Sequence, residues 1–168
     1  MPKTFTNLTA VATGDLLAAT THNNLLTTVN NHTVPPAVSV YFGTATTYTE
    51  GTSISWTAED YDTDAMWTSG ASITIQTAGV YVVTFTGRAT STVSASARAA
   101  LTVSTSPRAQ GQEQTTTDFR WSISLTRSFE AAATIAANVQ WGGGGTITLQ
   151  GNTDMRPTLT ATFLGKTA

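Results

Sequence analysis

The sequence predicts an all-β domain, a sandwich or barrel, spanning residues 38 to 168. Three observations predict it. From Val38 onward, apolar residues alternate with small polar ones, the mark of half-buried strands. The alternating runs are rich in β-branched and aromatic residues, which fit a pleated surface. Turn-forming clusters such as "SPRAQGQ", "GGGG" and "GNTDMRP" separate them.

Residues 1 to 37 read differently, as an arm and linker. In "GDLLAATTHNNLLTTVNNHT", Asp15 suits the cap of a short helix, and Leu25, Leu26 and Val29 fit one helical face. That stripe is too thin to fold alone. Polar terminal arms are ordered only when something ties them down, so the arm is expected to dock on a partner or a neighbouring copy. "TVPPA" (33–37) then stiffens the chain into an extended linker.

The strands follow in order. Val38, Val40 and Phe42 share one face, then Ile73 and Ile75, then Tyr81, Val83 and Phe85. Ala97, Ala99, Leu101 and Val103 continue the pattern, followed by Phe119, Trp121, Ile123 and Leu125. Ile135, Ala137, Val139 and Trp141 precede a short strand at Ile147 and Leu149. Leu159, Ala161 and Phe163 close the series. About eight or nine short strands at this spacing suit a sandwich or barrel, and a jelly roll has eight. One strand is apolar on both faces, because Val80 and Val82 lie opposite Tyr81 and Val83. Such a strand is buried on both sides. Another subunit, the arm or a loop would have to cover Val80 and Val82.

The bulk numbers exclude several function classes. Charged residues make up only 11% of 168 residues, with a net charge of −2. No basic cluster exists to grip a phosphate backbone, so no nucleic acid partner is expected. No apolar run reaches membrane-spanning length, and no membrane partner is expected. The chain has no cysteine for disulfides or thiolate sites. The first residues lack a secretory pattern, so synthesis in a cytoplasm is expected.

The acidic stretch "YDTDAMW" (61–67) is the one place that invites chemistry. Asp60, Asp62 and Asp64 have the alternation of a calcium loop, but Ala65 and Ala71 stand where an EF-hand needs Gly and Glu. A looser cation site at Asp60, Asp62 and Asp64 is a weak candidate. The simpler reading is a folding corner in which Asp62 and Asp64 bond backbone amides, while Tyr61 and Trp67 pack against the edge. No substrate-gripping cluster accompanies the two acids, and no G-x-S-x-G elbow occurs. His22 and His32 both lie in the arm, where neither a triad nor a metalloenzyme site can be assembled around them. An enzyme is therefore not expected, nor a cofactor. Arg88, Arg98 and Arg120 are expected to be solvated or bonded to nearby carboxylates. Trp121 and Trp141 are in phase with the core, which leaves Trp56 and Trp67 as candidate binding aromatics.

Taken in order, "YDTDAMW", "ASITIQTAGVYVVTFTGRA", "TRSFEAAATIAANVQWGGGGTITL" and "LTATFLGK" resemble the jelly-roll superfamily of complement globular heads and tumour-necrosis-factor ligands. The version found in bacteriophage virion proteins is the most similar. The aspartate-rich corner falls on Asp62 and Asp64, the following turn on Ala78-Gly79, and the central strand on Tyr81 and Val83. The arm, with its Gly-Asp-x-Leu-x-Ala stretch, resembles N-terminal segments of phage structural proteins. The resemblance implies a jelly-roll β-sandwich preceded by an extended arm with a short helix, and a homotrimer with Val80 and Val82 in the interface. It further implies a capsid decoration protein on the virion surface, docked to the major capsid protein or another virion protein. Phe5, Leu8, Leu16, Leu17, Leu25, Leu26 and Val29 are the expected docking residues. The alternative is a tail or fibre-tip module that binds a host receptor or carbohydrate.

Overall fold

A computed structural model describes residues 34–48, 52–142, 146–151 and 156–166, with backbone only at 92–95. The expected docking residues Phe5, Leu8, Leu16, Leu17, Leu25, Leu26 and Val29 lie outside the described residues, as do Asp15, His22 and His32. The strands are β1 (Ala37–Tyr41), β2 (Thr46–Tyr48), β3 (Ala58–Asp62), β4 (Ser72–Thr74) and β5 (Gly79–Val103). They continue with β6 (Ser106–Gln110), β7 (Gln114–Phe129), β8 (Thr134–Gly142), β9 (Ile147–Leu149) and β10 (Thr158–Gly165). No helix occurs among the described residues.

The long strand β5 organises the domain. Its first part, from Gly79 to Thr90, pairs with β10 on one side and β7 on the other. Its second part, from Ser96 to Val103, pairs with β8, and its end turns back into β6. The ladder to β7 skips from Thr90 to Ala95, the kind of irregularity that lets a strand change direction. One strand thereby serves both halves of a curled sheet. Beyond β10 the order runs to β1 and then β3, and every pairing is antiparallel.

The alternation read from the sequence is the alternation that fills the core. Val38, Val40, Tyr81, Val83, Phe85, Leu101, Phe119, Ile135, Ile147, Leu149 and Leu159 are all fully buried. Tyr81 is central: its ring meets Phe129 and Phe163 edge-on, with centroids 6.1 and 5.3 Å apart. Leu125 and Phe163, in phase with the core, lie nearer its rim and are half-buried.

Several expectations are corrected. "SPRAQGQ", read as a turn, contains strand β6, and β2 and β3 are strands whose polar residues hide the pattern. Trp56 is no exposed binding aromatic. It is buried, packs edge-on against Phe85 at 6.3 Å, and donates its indole N–H to the Ala71 carbonyl at 3.1 Å. Tyr61, expected to pack on the edge, stays 44% exposed.

Candidate assembly face

The aspartate-rich stretch builds a corner between β3 and β4. Asp62 Oδ1 accepts the backbone amides of Asp64 (3.1 Å) and Met66 (3.0 Å), and Oδ2 accepts that of Trp67 (2.7 Å). Ala65 adopts a left-handed conformation, φ 51°, inside this turn. An aspartate that satisfies several amides in this way fixes a tight turn from its own side chain. Asp64 is buried, and its Oδ2 accepts the Thr77 hydroxyl at 2.8 Å. Asp60 serves a third partner, taking Arg156 Nη2 at 2.7 and 2.8 Å and the Ser39 hydroxyl at 3.2 Å. The cation site considered for Asp60, Asp62 and Asp64 is thus not brought together. Among the described residues no group of three or more His, Cys, Asp or Glu is placed to hold a metal ion.

The strands that this corner anchors expose a broad, uncharged sheet face. Directly paired residues on antiparallel strands point to the same side, so the registers give its rows. One row runs Ala37, Thr162, Val82, Thr126. The next runs Tyr61, Ser39, Thr160, Thr84, Ser124, and a third runs Tyr41, Thr158, Thr86, Ser122. Val80 and Val82 are half-buried members of this face. Thr84 and Ser124 hydroxyls meet across the strands at 3.4 Å. Threonine and serine dominate the interior of these three rows, tyrosines stand at one edge, and no residue in them is charged.

The charged residues beside these rows lie at the margins, where carboxylates pair them. Arg88 Nε and Nη2 donate to the two oxygens of Asp118 at 2.7 and 2.8 Å, and Arg120 approaches the same carboxylate at 3.7 Å. The hydrogen bond and charge of Arg88 hold the Asp118 carboxyl below the usual aspartate range. On another margin Arg156 lies 3.6 Å over the Tyr41 ring while bonding Asp60. Arg98 finds the Gln140 side-chain oxygen at 3.0 Å, so its partner is an amide and not a carboxylate.

The fold has counterparts among solved structures. The globular domain of zebrafish complement 1qA protein superposes with a TM-score of 0.57 at 12% identity, over 79% of this chain and 99% of that one. The domain has the jelly-roll fold of that structure. The Eiger TNF structure from S. frugiperda gives the same score and identity, over 79% of this chain and 96% of its own. No protein-family model matches the sequence, and no curated protein matches it. The likeness is therefore one of fold.

Sequence reasoning placed Val80 and Val82 on this jelly-roll face but missed its extent. The signal was present in the hydroxyl phases of "TLTATF" and "WSISLT". Those threonines and serines were legible as outward-facing. Their alignment into common rows depends on register, which one strand cannot reveal.

Proposed function

We propose that this chain acts as a homotrimeric, non-enzymatic jelly-roll head that decorates a larger particle, joined to it by the N-terminal arm. The observation that carries the oligomer is the sheet face around Val82 and Thr84, uncharged across β1, β10, β5 and β7. The hydroxyls of Thr84, Ser124 and Thr160 at its centre bond neighbours on their own sheet, so covering them costs less desolvation than covering unbonded groups. Like-charge repulsion between identical copies is small because the three rows carry no charge and ion pairs offset most of the charge at the margins.

The particle is a bacteriophage virion in this reading, with the major capsid protein as the docking partner and the virion surface as the location. Support for that step is the resemblance of the corner, central strand and arm sequences to phage structural proteins. A tail or fibre-tip position is the second reading.

Native mass spectrometry of the full chain tests the assembly. The unaltered protein is expected as a trimer and Val82→Glu as a folded monomer. A monomeric unaltered protein would end the proposal for this face. Counting copies against the major capsid protein in purified virions tests the role. Hundreds favour decoration, a handful the tail, and absence excludes both.

A further inference from the structure

At one end of the jelly roll, the β5–β6 hairpin and the turn between β7 and β8 flank an open cleft of about 650 Å³. Its lining includes Arg108, Arg127, Glu130, Ser104 and Ser106. We infer that this cleft binds a carboxylate-bearing sugar, its acid group between Arg108 and Arg127 and its hydroxyls against the serines and Glu130. The volume falls within the range of small-ligand sites.

Four features of the chain converge there. First, the two arginines form no ion pair among the described residues, whereas Arg88, Arg120 and Arg156 each meet a carboxylate. In a chain with 11% charged residues, two such guanidiniums against the single carboxylate of Glu130 leave the cleft net positive. Second, Arg127 pairs directly with buried Tyr81, so it holds a core-phase position in β7. At the end of the strand, that phase aims it over the Phe129 ring, 5.5 Å from the centroid.

Third, Arg108 lies where the β5–β6 register slips: Thr102 pairs with Pro107 and Leu101 with Ala109, so Arg108 is the extra residue. Bulges of this kind re-aim side chains and are frequent beside binding sites. Fourth, both loops hold left-handed residues that are not glycine. Ser104 (φ 47°) and Thr105 (φ 72°) form the hairpin turn, and Ala132 (φ 67°) lies across the cleft. Asn-Gly would suit that turn better, and a β-branched residue there is strained. Local strain of this sort collects at ligand sites. With no exposed aromatic platform among these wall residues, recognition rests on charge and hydroxyl bonding.

The test is ligand-observed NMR titration of the full chain, in whatever oligomeric state it adopts, so it is independent of the trimer reading. The probes are glucuronate, galacturonate and N-acetylneuraminate, with glucose and inorganic sulfate alongside at constant ionic strength. At least one acidic sugar is expected to saturate, and its Kd to rise about tenfold or more in Arg108→Gln and in Arg127→Gln. Arg120→Gln, outside the cleft, is expected to leave it unchanged. The proposal is overturned if none of the three acidic sugars saturates, if glucose or sulfate binds equally well, or if the cleft variants bind as the unaltered chain does.

Discussion

Asp62 and Trp67 are joined by a 2.7 Å hydrogen bond from the Trp67 backbone amide to the Asp62 carboxylate. That bond closes the corner that turns β3 toward β4. The Trp67 side chain then packs against the core, and its indole N–H reaches the Gly70 carbonyl at 3.2 Å. Asp62 is thus a structural hub with its acceptor capacity committed to the backbone.

Replacing Asp62 with Ala should cost about 2–3 kcal/mol, because three backbone amides lose a charged acceptor together. Asp62→Asn should also destabilise. Its single oxygen can serve Asp64 and Met66, but its NH₂ group would then face the Trp67 N–H donor. Urea unfolding measures both. An Asn variant as stable as the unaltered chain would remove the carboxylate from this role.

Gly79 opens β5 where no side chain fits. A Cβ there would lie 2.6 Å from the Gly165 carbonyl oxygen and collide with the Phe163 ring. Gly79→Ala should therefore lower stability by about 3 kcal/mol. Gly142 is the control, since among the described residues a Cβ there meets nothing within 4 Å. Thermal unfolding of the two variants should separate them clearly, and equal melting temperatures would contradict the packing at Gly79.

Tyr81 should make the fold sensitive to alkali. Burial, and secondarily the nearby Asp64 charge, push its phenol well above the ordinary tyrosine value. The folded state therefore keeps the proton while the unfolded chain releases it. Stability from this group is full below about pH 10 and declines as pH rises from there toward the raised folded value. Tyr48 is raised too, chiefly by burial, and adds to the slope. In Tyr81→Phe the loss of the 2.7 Å bond to the Thr77 carbonyl should lower stability near neutral pH by about 1 kcal/mol. The alkaline decline should be shallower. Unfolding free energies from pH 7 to 11 decide this, and an equally steep decline in the variant would rule Tyr81 out as the source.

The strands of the core were legible because burial on one face imposes a period of two, and that period is written in local residue order. Val38 with Val40, Tyr81 with Phe85, and Ile135 with Val139 all face inward as their alternation requires. The Asp62 corner was legible for the same reason: an aspartate bonding amides two to five residues ahead is a local event. Strands β2, β3 and β6 were not legible, since their side chains are largely exposed and carry little apolar pattern. Only tertiary structure decided what registers and turns bring together. Trp56 became a core residue through contact with Phe85, distant in sequence. The hydroxyl rows of the outer sheet face arose by aligning four or five strands. Arg108 and Arg127 line one cleft because the bulged β6 and the end of β7 lie at the same end of the fold. Local order sets which way a side chain points along its own strand, whereas its neighbours across the sheet are chosen by long-range pairing.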